Sequence, residues 1–157
     1  RVLVPNVPPP FATGSSLPPQ TAAPLSAANA PMLSSAFSAL TVSHASSSTP
    51  DGQSIAGAFK QGDTLHLPIT LLAGRCYTIL AVSAGVTELD IALMISSMPG
   101  MPFPPMPLAM DSTTGPTAVL GGGSNCFKNP TPIPLPAVAV VRATTGAGIV
   151  LAQAFSR

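Results

Sequence analysis

The groups able to do chemistry in this chain are few and scattered. There are two histidines, His44 and His66, five carboxylates, six basic residues and two cysteines. Serine is abundant, so a Ser-His-Asp relay can be drawn on paper with Asp63 or Asp90. No G-x-S-x-G elbow raises a nucleophile, however. Glycoside chemistry needs two acids facing each other across a cleft. Glu88 and Asp90, the closest pair, alternate on one strand and read as a solvated outer face. Gly121-Gly122-Gly123-Ser124 lacks the Gly-Lys-Ser/Thr ending of a phosphate loop. The expectation is a protein that is not an enzyme.

Metal chemistry is no better specified. Asp63, Asp90 and Asp111 are oxygen donors from separate turns that could gather around Ca²⁺ at one end of a sandwich. Three carboxylates are too few to define such a site. Met94, Met98, Met101, Met106 and Met110 fall within seventeen positions, most of them around Pro-Gly-Met-Pro-Phe-Pro-Pro-Met-Pro. Thioethers suit Cu(I), but flexible methionines held between prolines also make an adaptable apolar contact surface. The interface reading is the favoured one, and no metal or cofactor is assigned.

Composition narrows the partners. Charged residues make up 7% of the 157 positions, against roughly a quarter in an ordinary soluble domain. With a net charge of +1, no tryptophan and scattered bases, there is no footprint for nucleic acid. Mean hydropathy is +0.47, yet no apolar run approaches the ~20 residues of a transmembrane span. Apolarity without a span points to surface buried against other copies of the chain or within an envelope complex.

Cys76 and Cys126 each open a stretch rich in β-formers, Cys-Tyr-Thr-Ile and Cys-Phe-Lys. They predict one disulfide, closing a loop of about 50 residues and contributing roughly 4 kcal/mol on a chain-entropy estimate. Together with the poverty in Lys and Glu, this predicts an exported chain, extracellular or in the cell envelope; Arg1 opens onto prolines and not onto an apolar leader, so the chain is read as a mature form.

The elements that must position these groups divide into an arm and a body. Between Arg1 and Asp51 there is no Lys, Arg, Asp or Glu, and nine of the residues are proline. Such a stretch cannot enter a central sheet. Its apolar side chains still need cover, either from its own domain or from another copy, and residues 1–53 read as a docking arm, with a wrap back onto the chain's own body as the alternative. Val2-Leu3-Val4 is a short strand suited to adding onto a neighbour's sheet edge. A short helix follows, with Asn29 as N-cap, Pro31 in the first turn, and Leu33, Phe37 and Leu40 on one face. The expected assembly interface comprises Val2, Leu3, Val4, Phe11, Leu33, Phe37, Leu40, Met98, Met101, Phe103 and Met106.

From residue 54 to 157 the period changes to two. Strands are predicted at Ile55–Phe59, Thr64–Leu71, Cys76–Val82, Glu88–Ile95, Leu108–Met110 and Thr117–Leu120. A closing hairpin is predicted from Val138–Ala143 and Gly148–Phe155, turning at Thr144-Thr145-Gly146-Ala147. Pro68 lies out of phase with its strand's apolar set and marks an edge strand or a bulge. Eight or so short strands predict an all-β, antiparallel, jelly-roll-like β-sandwich. The expected core is Leu65, Leu67, Ile69, Ile79, Leu89, Ile91, Leu93, Val138, Val140 and Ile149.

Residues 55–155 resemble the pre-peptidase C-terminal type of secreted β-sandwich. The resemblance is carried by Gly62-Asp63-Thr64, Leu72-Ala73-Gly74, Cys76-Tyr77-Thr78-Ile79, Leu89-Asp90-Ile91-Ala92-Leu93 and Leu108-Ala109-Met110-Asp111, with the final hairpin. It implies a sandwich fold, export, and a role in binding, folding or assembly beside other domains. No catalytic domain accompanies the module here, and the proline arm is foreign to the pattern. The expected function is a structural or assembly subunit whose arm docks onto neighbouring copies, in a ring, a filament or a hetero-complex. The alternatives are an exported module binding glycan or peptide through its loops, and an accessory subunit of a larger envelope complex.

Overall fold

The computed structural model describes residues 17–27, 30–95, 106–111 and 113–157. Among the described residues, eight strands lie in one antiparallel sheet: β1 (Ala23–Leu25), β2 (Thr49–Phe59), β3 (Thr64–Leu71), β4 (Cys76–Ile95), β5 (Met106–Met110), β6 (Thr117–Leu120), β7 (Phe127–Lys128) and β8 (Leu135–Ser156). One α-helix, α1 (Ser34–His44), is preceded by a 3-10 turn at Pro31–Leu33. The sheet is not closed into a barrel. Among the described residues no helix is long and apolar enough to cross a membrane.

The long strands β4 and β8 organise everything else. They pair from Tyr77↔Ser156 to Ile95↔Ala137, with register shifts between Ala84 and Leu89. The shifts coincide with Gly85 (φ +98°) and Gly146 (φ +86°), left-handed conformations that glycine adopts without strain. A side chain on Gly146 would meet the Thr87 amide at 2.7 Å, and one on Gly148 would run into the Ala84 carbonyl. Glycine here builds a bulged bend in two continuous strands. Two expectations are thereby corrected: Cys76–Val82 and Glu88–Ile95 are one strand, and the closing hairpin does not form. Thr144 to Ala147 bulge without reversing the chain, because β4 stays paired to β8 on both sides of them.

The bend folds the sheet over on itself. On one side of it β8 pairs with β2, as in Ala56↔Leu151, and on the other with β3, as in Leu67↔Ala139. The two halves share one core, in which Leu65, Leu67, Ile69 and Leu71 of β3 meet Tyr77, Ile79, Ile91 and Leu93 of β4 and the small row Ala137, Ala139, Ala143, Ala152 and Ala154 of β8. Tyr77 spans both halves, its hydroxyl donating to the Thr70 carbonyl at 3.2 Å and accepting from the Leu72 amide at 2.7 Å. Fully burying one such Leu or Ile side chain stabilises the fold by about 1.5–3 kcal/mol.

Nine of the ten predicted core residues are buried; Ile149 is half-covered. Val138 and Val140, however, face away from the leucines, in an outer cluster with Ala92 and Met94 against which Leu17 packs. A central strand buried on both faces loses its alternation, so parity there does not separate inside from outside.

The predicted helix is present, though it begins at Ser34 with Leu33 in the N-cap position, the expected cap Asn29 lying outside the described residues, and it covers the outer face of the other half. Leu33, Phe37 and Leu40 pack on Ala56, Leu80, Val82, Leu151 and Phe155, with the Phe37 and Phe155 rings stacked at 6.1 Å. It runs on to His44, and the chain turns at residues 45–48 straight into β2. The boundary expected between residues 53 and 54 falls inside that strand. Pro50 and Asp51 already pair with Phe155 and Ala154.

Candidate functional site

Residues 17–25 lie against the chain's own sheet. β1 adds to β2 through Ala23↔Ala58 and Leu25↔Ala56. The amides of Thr21 and Ala22 both donate to the Thr64 carbonyl, and the Thr64 hydroxyl donates to the Pro19 carbonyl. The Gln20 side chain accepts from the His66 amide at 2.9 Å, and the His66 ring nitrogen lies 2.9 Å from the Pro18 carbonyl. His66 thus holds this segment in place. A groove of about 630 Å³ opens beside β1, lined by residues including Gln20, Gln53, Ser54, Ile55 and His66, with no Asp, Glu, Lys or Arg among them.

Cys76 and Cys126 are joined in a disulfide with Cα atoms 5.3 Å apart. Arg157 clamps the same end of the molecule. Its amide and carbonyl exchange 3.0 Å hydrogen bonds with those of Cys76, and its guanidinium donates to the Ser47 hydroxyl, the Gly123 carbonyl and the Cys126 sulfur.

At the bend, three of the five carboxylates come together. Glu88 and Asp90 lie on β4, and Asp111 follows β5. Glu88 accepts from the Gly115 amide at 2.9 Å. Asp111 accepts from the Ile91 amide at 2.8 Å and from the Thr113 hydroxyl at 2.9 Å. Asp90 accepts from the Thr144 hydroxyl of β8. Burial, then the Glu88 and Asp111 carboxyls, push Asp90 up to about 6 against the lowering effect of Thr144. Burial also raises Asp111, and it lowers Arg142, the residue opposite Asp90, whose charge Asp90 favours.

The solvated outer face expected for Glu88 and Asp90 is therefore corrected. Both are half-buried, because the bend and the residues after β5 fold over them. Asp63 stays apart, its carboxylate capping the Lys60 amide at 2.9 Å. Among the described residues no group of acids, histidines or cysteines is arranged to hold a metal ion.

The expected interface residues fare differently. Leu33 is buried and Phe37 and Leu40 half-buried against the chain's own sheet. Val2, Leu3, Val4, Phe11, Met98, Met101 and Phe103 lie outside the described residues. Met106 is on β5, which among the described strands pairs with β4 alone. Leu108 and Ala109 of β5 turn toward the core, while Met106 and Met110 are 47% and 52% exposed.

No family model, curated protein or solved structure matches this chain. Its site is described by its own geometry. What the sequence reading missed is the gathering of Glu88, Asp111 and Arg142 around Asp90. In a chain so poor in charge, each ionised residue placed in a β-former run was the available signal.

Proposed function

We propose that this chain is a non-enzymatic structural or assembly subunit of an extracellular or cell-envelope structure, docking onto further copies of itself. The observation that carries this reading is β5. Among the described residues β5 pairs with β4 alone and exposes two methionines; such an edge is a template for pairing with another chain, and folded proteins normally blunt it with charge or proline. Here Pro107 interrupts the edge, and no charge guards it between Met106 and Met110. β1 supports the same reading, since the arm adds to a sheet edge by backbone pairing, the mode a neighbour's segment would use. The Cys76–Cys126 bond supports an oxidising compartment. The resemblance to pre-peptidase C-terminal-type sandwiches belongs to the same proposal, with the correction that the final hairpin is one bent strand.

Light scattering on the full chain tests it. Particles larger than the 15.7 kDa chain are expected, with Met106→Lys/Met110→Lys reducing them to monomers. A full chain monomeric at every concentration would remove the proposal. The arm test is confined to residues 1–16, because deleting further would strip β1 and α1 from the sheet. A second reading, an exported module binding a peptide or glycan, is favoured by the groove beside β1, whose lining holds Gln20, Gln53 and His66 but no Asp, Glu, Lys or Arg.

A further inference from the structure

A cleft of about 540 Å³ lies where the end of α1, residues 121–126 between β6 and β7, and the end of β5 meet. Its size suits a small molecule, and it shares no lining residue with the groove beside β1. Part of the lining is apolar: Val119 is buried, Phe127 half-buried and Met110 exposed. Three polar side chains complete it, the His44 imidazole, the Asn125 amide and the Lys128 ammonium. Among the described residues none of the three has a hydrogen-bond or ionic partner. An apolar lining with a few convergent polar groups is the usual make-up of a small-molecule site.

The polar groups set the charge of what fits. No Asp or Glu lines the cleft, so the missing countercharge is negative. Arg157, at the same end of the molecule, is already committed to Ser47, Gly123 and Cys126. Lys128 therefore supplies one fixed positive charge, enough for a single anion and too little for a polyphosphate. Phe127 is the one aromatic side chain of the lining, which gives a sugar ring little to stack on.

Gly122 shows that the imidazole is seated by the fold. Its backbone, at φ −72° and ψ 143°, is ordinary extended chain that any residue adopts. Space is what demands glycine there. An added Cβ would lie 2.8 Å from the Val119 Cγ1 and 2.9 Å from the His44 Nδ1.

We propose that this cleft binds an aliphatic monocarboxylate, its carboxylate held by Lys128 and Asn125 and its chain laid against Val119, Phe127 and Met110. Both polar groups donate, and an ionised carboxylate only accepts. His44 offers a further donor in either tautomer. The site stands on its own lining, whether or not the chain assembles through β5.

Calorimetric titration of the full chain with octanoate, and with 1-octanol as its uncharged match, tests this. Saturable one-to-one binding of octanoate is expected, tighter than that of octanol. Lys128→Gln should weaken octanoate about fivefold, the upper end for an exposed ion pair, and leave octanol unchanged. Lys128 is exposed, so this variant should fold as the wild type does. Gly122→Ala, which crowds both Val119 and the imidazole, should weaken both ligands. Absence of saturable octanoate binding would overturn the proposal. So would octanoate binding that Lys128→Gln leaves unchanged, or a folded Gly122→Ala that binds both ligands like the wild type. Should Gly122→Ala not fold, Lys128→Gln decides alone.

Discussion

Asp90 of β4 and Arg142 of β8 face each other in register beside the bend that folds the sheet in two. Their influences on one another are unequal. Arg142 is buried, which lowers the pKa of its guanidinium, and Asp90 opposes that lowering. Asp90 is raised first by its own burial and then by two other acids, so one guanidinium does not hold it in the ordinary carboxylate range.

Stability should therefore fall, not rise, as pH climbs from about 4 to above 6. Asp90 binds its proton more tightly folded than unfolded, so its contribution is full below the unfolded value of 3.8 and is lost as pH passes about 6. Asp111, also raised by burial, acts in the same direction. Urea midpoints across that range check the sign, and Asp90→Asn should flatten the slope. A midpoint that rises with pH through this window would show the sign to be wrong.

Removing the Cys76–Cys126 bond with paired Ala substitutions should lower stability by about 4 kcal/mol, given the 50-residue separation. The loss should appear in the denaturant midpoint at unchanged pH dependence, because the bond lies at the Arg157 end and not at the carboxyl cluster. Intact mass under non-reducing conditions checks the bond itself.

The Phe37–Phe155 stack measures how firmly α1 belongs to the sheet. Phe155→Ala should cost about 3–5 kcal/mol as a buried aromatic truncation, and Phe37→Ala less, since Phe37 is half-buried. A double-mutant cycle should return a coupling of about 0.5–1.5 kcal/mol. A coupling near zero would mean that the helix is not held there in solution.

The all-β class, the Pro68 edge, the Leu65 to Leu71 row and the helix face were legible because each repeats a period that burial enforces. The continuity of β4 and β8 was not. Gly85 and Gly146 carry the same local signal whether the chain reverses or bulges, and only the strand paired alongside decides between them. Glu88 and Asp90 were misplaced for a related reason. Alternation put them correctly on the outer side of the strand, but an outer side is solvated only if nothing folds over it, and Asp111 does. Val138 and Val140 show the same limit, since both faces of β8 are apolar.

The bend itself gives the sharpest test. Gly148→Ala would place a methyl against the Ala84 carbonyl, a backbone atom of the paired strand. Only separating β4 from β8 relieves that contact, so a loss of about 3 kcal/mol or more is expected, in the range reserved for disrupted packing. Gly115→Ala is the control. It has a left-handed φ of +104° but open space around the added carbon, so about 1–2 kcal/mol of backbone strain is all it should show. If the closing segment were instead the hairpin predicted to turn at Thr144 to Ala147, Gly148 would open the second strand beside Ala143 rather than against the Ala84 carbonyl, and both substitutions would cost alike. Urea denaturation of the two variants separates the alternatives. Gly148→Ala as mild as Gly115→Ala would mean that β8 does not run unbroken past β4.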